Sequence, residues 1–380
     1  MTGFTTKAIH TTDRDNPYGS ILPPIYTTTT YAQPCDGTEG PYDYQRGGNP
    51  TRAALETTLA TLEGAKHAFA YPSGMGATAA ALGILKEGET LLLGMPSYGG
   101  TYRFATIELP ARGVKTRFIG DFTALTDEDF ADNVTMVFLE SPSNPLLRVS
   151  DIAAIAEIAH RNGAIVVVDN TFMTPLLQKP LDLGADISVQ SATKYLGGHG
   201  TSIGGVIVDS GNFDYGADPE KFPKFNQPAP GYHGLVYARD LGKDSAFGAN
   251  LSYILKARVS LLRDTGAAIS PTNAFNIGIG LETLSLRIER HIENATKVAH
   301  WLEANPQVDK VIWAGVESSP WYERAQKYLP KGPGAVLGFT LKDATLEQAR
   351  DFVDALKLHS NVANIGDVRS LVIHPASTTH

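Results

Sequence analysis

The sequence of 380 residues contains a single cysteine, Cys35, which can form neither an internal disulfide nor a multi-cysteine metal site. No apolar signal segment occurs in residues 1–15, which argues against secretion. Basic residues are in the minority: 32 Lys and Arg against 40 Asp and Glu give a formal charge of −8, unlike a general nucleic-acid binder. The histidines are dispersed, so no metal site is predicted. These absences favour a cytoplasmic protein without nucleic-acid or membrane partners.

One stretch, residues 68–85, carries no charge and approaches the length of a bilayer span. It contains Pro72, Ser73 and Gly74 and is otherwise rich in Ala and Gly. This composition predicts a strand, a tight turn and a buried helix rather than a transmembrane helix.

Short apolar runs alternate with helical patterns, which predicts an α/β fold with a mainly parallel sheet. The clearest helix is expected at 150–161, with Ser150 as its N-cap and Gly163 as its stop. In such sheets the chemistry lies beyond the carboxyl ends of the strands. The predicted strands are 67–71, 90–94, 115–119, 135–139, 164–168, 187–190 and 205–208.

The same patterns divide the chain into three regions. Residues 1–48 are expected to form an N-terminal arm, 49–250 a large domain and 251–380 a smaller α+β domain. Residues 213–243, rich in Pro, Gly, Tyr and charge, are expected to be a surface excursion. Residues 375–380 resemble neither a capped helix nor a finished strand, so we expect the C-terminal domain to be truncated.

Two residues in the large domain suggest cofactor chemistry. Asp169 ends a buried strand, and Lys194 follows the next strand in a Gly-rich turn. A lysine whose pKa is lowered by its surroundings is a good nucleophile toward aldehydes. An aspartate facing a pyridinium nitrogen keeps that ring electron-withdrawing, as pyridoxal 5'-phosphate chemistry requires. Taken singly, each residue is more often a cap or a solvated side chain.

A phosphate cradle would strengthen this interpretation, and the sequence offers candidates. The segment 71–76 follows a strand and opens an Ala-rich helix whose first amides would face an anion. Ser191 and Thr193 could donate hydroxyls to the same phosphate, and Tyr44 and Arg46 lie on one face of an extended segment. The plainer interpretation of segment 71–76 is a tight turn. The plainer interpretation of Tyr44 and Arg46 is a packed tyrosine beside a surface arginine.

Two further residues could contact a cofactor ring. Tyr98 lies in a flexible loop after a strand and could stack on the ring, or be an ordinary half-buried tyrosine. Asn144 could bond a ring hydroxyl, or simply make a turn.

Together these pieces resemble a known family, the transsulfuration enzymes of Cys/Met metabolism that use pyridoxal phosphate. The resemblance runs along nearly the whole chain. Its motifs, in order, are Tyr-x-Arg-x-x-Asn-Pro-Thr (44–51), Ser-Gly-Met (73–75), Ser-Tyr-Gly-Gly (97–100), Glu-Ser-Pro-Ser-Asn-Pro (140–145), Val-Asp-Asn-Thr-Phe (168–172) and Ser-Ala-Thr-Lys-Tyr-Leu-Gly-Gly-His (191–199).

The resemblance implies the fold type I architecture of pyridoxal-phosphate transferases and a role for each motif residue. Lys194 would bond to the cofactor and move protons, Asp169 would pair with the ring nitrogen, and Tyr98 would stack and assist acid–base chemistry. Asn144 would contact the ring hydroxyl. The residues implied to hold the phosphate are Gly74, Met75, Ser191 and Thr193, with Tyr44 and Arg46 reaching it from a neighbouring subunit of a homotetramer.

The choice of reaction depends on which half of the chain is considered. The first half looks like cystathionine lyases, and the second like O-acetylhomoserine sulfhydrylases, with Asn364 where lyases commonly have serine. Because the second half lines the substrate side in the family, we expect replacement of the γ-acetate by sulfide or a thiol. The sequence does not decide the acyl group of the substrate, the thiol donor, or whether the reaction is an elimination or a replacement. A cystathionine lyase or a cystathionine γ-synthase therefore remains an alternative.

Two other interpretations differ more widely. Ser191 to Lys194 also fits the Ser-x-x-Lys of penicillin-recognising acyl hydrolases, although companion Ser-Asp-Asn and Lys-Thr-Gly elements are lacking. The chain could also be a catalytically silent paralogue, because the family's arginine for the substrate carboxylate lies beyond the stretch at which this sequence stops. On that ground we expect the cofactor to bind better than the substrate.

Overall fold

A seven-stranded sheet with one reversed strand forms the centre of the molecule. The computed structural model describes residues 3–12, 18–35, 38 and 40–378. In chain order the strands of this sheet are β1 (His67–Tyr71), β2 (Thr90–Gly94), β3 (Lys115–Ile119), β4 (Val134–Glu140), β5 (Ile165–Asp169), β6 (Ile187–Gln190) and β7 (Gly205–Asp209). Their spatial order is β1-β7-β6-β5-β4-β2-β3, and only β7 runs antiparallel to its neighbours.

Helices cover both faces of the sheet and build the C-terminal part. They are α1 (Phe4–His10), α2 (Pro50–Glu63), α3 (Gly74–Leu82), α4 (Gly99–Arg103), α5 (Leu109–Ala111), α6 (Ile152–Arg161), α7 (Thr174–Leu177), α8 (Pro223–Asn226), α9 (Tyr237–Leu241), α10 (Ser252–Arg258), α11 (Pro271–Glu282), α12 (Leu284–Ala304), α13 (Tyr322–Tyr328), α14 (Leu346–Ala355) and α15 (Pro375–Thr378). The C-terminal strands are β8 (Val308–Ile312), β9 (Gly338–Leu341), β10 (Ser360–Asn361) and β11 (Leu371–Val372).

The buried strands explain why the sequence contains continuous apolar runs. In β2, Leu91 and Leu93 pack into the hydrophobic core on one face, and Leu92 packs into the core on the other. A strand covered on both faces needs an apolar residue at every position, not at every second one. The uncharged stretch at 68–85 accordingly forms β1, a turn and α3, as predicted.

The C-terminal part has a core of its own. Residues of α12 and β8, with Trp313 and Val316, pack together there, and β8 pairs antiparallel with β9. The domain boundaries expected between residues 48 and 49 and between residues 250 and 251 remain predictions.

Two local expectations were wrong. Helix α6 is capped by Asp151, whose side chain accepts the Ala154 amide at 3.1 Å, and not by Ser150. The Ser150 amide instead donates to Ser141 Oγ after β4, and this fixes it outside the helix. The segment 213–243 is not only a surface excursion, because several of its aromatic side chains are buried in the hydrophobic core that covers one face of the sheet. These include Tyr215, Phe222, Phe225 and Tyr237.

Candidate active site

The candidate site lies where parallel strands β4, β5 and β6 end. Glu140 and Asp169 are the last residues of β4 and β5 and face each other in the strand register. Thr171 connects β5 to the turn after β6, because its amide donates to Asp169 Oδ1 at 2.9 Å and its hydroxyl accepts the Ser191 amide at 2.8 Å. Residues predicted from separate motifs are thus brought to one edge of the sheet.

The Asp169 carboxyl lies in a strongly desolvated position. Burial raises its pKa above the ordinary value, and the bonds from Thr171 act in the opposite direction. Glu140 is 8% exposed, and burial together with the charge of Asp169 raises its pKa well above the ordinary value. The charge of Asp169 and the burial of Glu140 both favour the neutral form of the Glu140 carboxyl.

Lys194 is held in a tight turn that follows β6. Its amide donates to the Ser191 carbonyl at 3.1 Å, and its carbonyl accepts the Gly198 amide at 2.8 Å. Its Nζ donates to Asn364 Oδ1 at 2.7 Å, so the lysine bridges the sheet and the C-terminal segment. Burial lowers the pKa of Lys194, which increases the fraction of neutral, nucleophilic amine.

The start of α3 forms an anion cradle beside this lysine. Ser73 caps the helix by accepting the Gly76 amide at 3.0 Å, and the first amides, those of Gly74 and Met75, have no partner within the helix. A Cβ on Gly74 would lie 2.8 Å from Ser191 Oγ, so only glycine lets this helix start touch that hydroxyl. A Cβ on Gly205 would likewise strike the Ser73 carbonyl.

Thr193 and Tyr98 have different surroundings. The Thr193 hydroxyl exchanges bonds of 3.1 Å with both the amide and the carbonyl of Gly204, so a phosphate would have to share it. Tyr98 is 44% exposed, and its ring and Met75 Sδ approach each other over Gly100, where a Cβ would lie 2.5 Å from the ring and 2.9 Å from the sulfur. The exposed ring therefore stands beside the cradle.

Tyr44 and Arg46 lie apart from this group. The Arg46 guanidinium packs over the Tyr44 ring at 5.4 Å and donates to the Arg263 carbonyl at 2.8 Å. Within the part of the chain that the structure describes, no bond or ion pair joins either residue to Lys194, Ser191 or Gly74. Arg52 holds the turn that carries them, through bonds to the carbonyls of Arg46 and Gly47.

Two functional candidates were missed by sequence reasoning. Glu140 was quoted as part of a motif without a role, although its place at a strand end next to Asp169 was a usable signal. Arg287 of α12 donates to the carbonyls of Tyr195 at 2.8 Å and Gly280 at 2.6 Å, and so holds the turn after Lys194. No spacing in the sequence points to Arg287.

Two searches concern other kinds of site. Over residues 3–12, 18–35, 38 and 40–378, no three His, Cys, Asp or Glu side chains come together as a metal ion would require. No helix in those same ranges is long and apolar enough to cross a membrane.

Known proteins resemble this chain over nearly its whole length. The family described as "Cys/Met metabolism PLP-dependent enzyme" matches residues 5–380. Homocysteine synthase of Schizosaccharomyces pombe is 43% identical over 99% of this chain and 89% of its own length. O-acetyl-L-homoserine sulfhydrylase of Corynebacterium glutamicum is 43% identical over 100% of this chain and 88% of its own. The crystal structure of a putative O-acetylhomoserine (thiol)-lyase from Campylobacter jejuni, with a pyridoxyl-lysine phosphate, is 33% identical and superimposes with a TM-score of 0.92 over 100% of this chain and 90% of that one.

The sheet, the lysine turn and the anion cradle define a pyridoxal-phosphate enzyme of fold type I. More specifically, the chain belongs to the Cys/Met metabolism PLP-dependent enzymes. The residues present fit the cofactor: a cradle that a Cβ at Gly74 would fill, an amine of lowered pKa at Lys194, and the carboxyl of Asp169. The acyl-hydrolase alternative does not agree with this family.

Proposed function

We propose that the protein replaces the γ-acetate of O-acetylhomoserine with sulfide or a thiol, forming homocysteine or a thioether. The observation that carries the proposal is the 2.7 Å bond from Lys194 Nζ to Asn364 Oδ1, which puts an amide of the C-terminal segment on the reactive amine. The relatives named for homocysteine synthesis and O-acetyl-L-homoserine sulfhydrylation, at 43% identity, support this choice of reaction.

The residues at the site are proposed to divide the work. The cofactor, when bound, supplies the electron sink that acidifies the substrate's carbon–hydrogen bonds. Asp169 holds a negative charge for the ring nitrogen, and Lys194 Nζ takes and returns protons at the substrate's α and β carbons. Tyr98 covers the ring, and Asn144 bonds its hydroxyl. Gly74, Met75, Ser191 and Thr193 bind the phosphate, and Asn364 orients the amino acid against Lys194.

Parallel substrate assays test the reaction. The purified holoenzyme is given O-acetylhomoserine, O-succinylhomoserine or cystathionine, each with and without sulfide, and acetate, homocysteine and 2-oxobutanoate are measured. We expect homocysteine and acetate in equal amounts from O-acetylhomoserine only when sulfide is present. Rapid formation of 2-oxobutanoate from cystathionine would instead identify a lyase. Acetate release no faster than that of Lys194→Ala would identify a silent paralogue.

Subunit association is a further part of the proposal. Tyr44 and Arg46 are exposed and lie apart from their own chain's lysine, so we place them against the cofactor phosphate of a neighbouring subunit. The active unit is then a dimer, within a homotetramer. A cytoplasmic location also belongs to the proposal, and cell fractionation tests it.

Hybrid enzymes test the shared site. Arg46→Ala and Lys194→Ala chains, each poorly active alone, are unfolded, mixed and refolded together. If Arg46 acts on the partner, each mixed dimer contains one intact site, and the mixture regains about a quarter of the wild-type activity. If Arg46 acts within its own chain, mixing restores nothing.

A further inference from the structure

One buried carboxyl group connects the proposed ring contacts to each other. Glu140 Oε1 accepts the Tyr98 amide at 2.7 Å, and the Asn144 amide also donates to the Glu140 carboxyl. Glu140 is paired with Asp169 in the register of β4 and β5. The residues proposed to stack on the ring, to bond its hydroxyl and to face its nitrogen therefore all meet at this one side chain.

The need for such an anchor follows from the loop that carries Tyr98. Tyr98 is the residue before α4 and has no side-chain cap, and its ring is 44% exposed. Glu140 also lines a cavity of about 250 Å³ together with Met95 and Pro96, which lead into this loop. The neighbours Ser97 and Thr101 are buried, and the hydrogen bond to Glu140 ties the exposed Tyr98 itself to the end of β4.

We propose that Glu140 is a positioning residue: its carboxyl ties the backbone at Tyr98 to the backbone at Asn144 and holds both beside Asp169. This inference rests on the proposed roles of Tyr98, Asn144 and Asp169. Glu140 reaches the cofactor only through them. The role requires an acceptor oxygen but no negative charge, because amides bind a neutral carboxyl or a carboxamide oxygen as well.

That requirement separates two substitutions. Glu140→Gln keeps an acceptor oxygen for the Tyr98 amide, whereas Glu140→Ala leaves both amides without an acceptor. We expect Glu140→Gln to bind pyridoxal phosphate within about two-fold of wild type, and Glu140→Ala about 10- to 100-fold more weakly. The dissociation constant is measured by titrating the apoenzyme with the cofactor and following its visible absorption band. Equal loss in both variants would overturn the proposal, and so would tight binding by Glu140→Ala.

A second readout does not depend on the cofactor. Hydrogen exchange of peptides covering residues 95–103 in the apoenzyme is expected to be slow in wild type and Glu140→Gln and fast in Glu140→Ala. Glu89→Ala is the matched control, because Glu89 is also buried and accepts one amide, that of Lys86, at 2.9 Å. It is expected to change neither readout at residues 95–103. Unchanged exchange in Glu140→Ala would show that Glu140 does not hold this loop.

These readouts separate two kinds of failure. If Lys194→Ala still forms the visible band, the proposed function is wrong, while the exchange experiment still decides whether Glu140 anchors the loop. The pH at which the visible band changes is the last measurement. If Glu140 is a positioning residue, the band of Glu140→Gln is expected to change at the same pH as the band of the wild type. A shift of more than about half a pH unit would show that Glu140 acts through its charge and would overturn the proposal.

Discussion

Lys194 Nζ and Asn364 Oδ1 are 2.7 Å apart, although 170 residues separate them in the chain. The contact is reinforced by the Val368 amide, which donates to the Gly198 carbonyl at 2.9 Å. Gly366 also lies against the Tyr195 amide, where a Cβ would approach to 2.5 Å. The C-terminal segment is therefore built onto the lysine turn, and the proposed substrate contact of Asn364 would be coupled to the reactive amine.

Asn364→Ala tests this coupling. We expect the cofactor to bind as in wild type, because no proposed phosphate contact is changed, and the KM for O-acetylhomoserine to rise about ten-fold, as loss of one hydrogen bond predicts. Steady-state kinetics and the visible absorption band measure the two effects. Asn361→Ala, on the exposed strand β10, is the control. A fall in cofactor affinity with unchanged KM would contradict the substrate role.

Lys194→Ala tests the cofactor bond itself. We expect no visible band of lysine-bound cofactor and loss of all measurable turnover, because no other amine occupies this turn. Borohydride reduction of the wild type followed by mass spectrometry should place a pyridoxyl group on Lys194. Exposed Lys243→Ala should keep both the band and the activity. Since burial lowers the pKa of Lys194, binding of the cofactor should accelerate with pH through a midpoint below that of a free lysine.

The sheet could be predicted from sequence because its strands are buried on both faces. Four of the seven predicted runs, 67–71, 90–94, 115–119 and 187–190, coincide with strands. Run 205–208 is one residue short at its end, and runs 135–139 and 164–168 differ by one residue at each end. Buried parallel strands consist of continuous apolar residues, so their limits are visible without any tertiary information. The helix cap at Ser150 was wrong because Asp151, an equally good capping residue, stands next to it.

The candidate site was only partly predictable, for a different reason. Asp169 and Lys194 follow apolar strands, and this local pattern marks them. The anchoring role of Glu140 depends on the register of β4 against β5, and the contacts of Arg287 depend on how α12 packs on the lysine turn. Such relationships are set by tertiary packing, which spacing in the sequence does not contain. The prediction of a surface excursion at 213–243 was wrong for the same reason, because the packing of its aromatic side chains is set by the tertiary fold.

Arg287→Met tests the clamp on the lysine turn. The guanidinium bonds the carbonyls of Tyr195 and Gly280, and Gly198 lies so close that a Cβ there would be 2.2 Å from Nη1. Losing these bonds should cost about 2–4 kcal/mol of stability and weaken cofactor binding about ten-fold.

Two further variants are compared with Arg287→Met. Arg287→Lys should recover only part of the lost stability and cofactor affinity, because a lysine cannot reproduce the planar fork of donors. Arg290→Met on the exposed face of α12 is the control, and urea unfolding with cofactor titration supplies the measurements. Cofactor affinity in Arg287→Met equal to that of Arg290→Met would rule out the clamp.

Arg52→Met tests how the turn carrying Tyr44 and Arg46 is held. Arg52 is 1% exposed, donates to the Gly47 carbonyl at 2.8 Å, and pairs with Glu56 at 3.5 Å. Removing it should loosen the turn and weaken cofactor binding about ten-fold, with about 3–5 kcal/mol lost in stability.

The loss should depend on assembly if Arg46 serves a neighbouring subunit. Sedimentation is expected to show weaker association of Arg52→Met, and cofactor affinity to rise with protein concentration. Arg239→Met, whose side chain is exposed, provides the comparison. Affinity that is independent of concentration and equal in the two variants would speak against the proposed contact.

Glu63→Gln tests a buried carboxyl beneath β6. Glu63 is fully buried, Ser188 and Gln190 donate to its Oε1, and its Oε2 has no partner among the described residues. Burial raises the pKa of Glu63 to about 8, so the fold favours the protonated form. Its contribution to stability is complete below the ordinary pKa of a glutamate and is lost as the pH rises toward about 8.

The amide of Glu63→Gln stays neutral at every pH, so the variant should be more stable than wild type at pH 8, by roughly 2–4 kcal/mol, and nearly equal to it at pH 5. Urea unfolding at a series of pH values measures the difference. Because Lys179 and Asp182 also act on Glu63, the comparison is made between variant and wild type at each pH, which cancels their own titration. Glu157→Gln, exposed on α6, should show no such trend. A difference that stays constant or grows toward acid would mean that Glu63 is ionised in the folded protein.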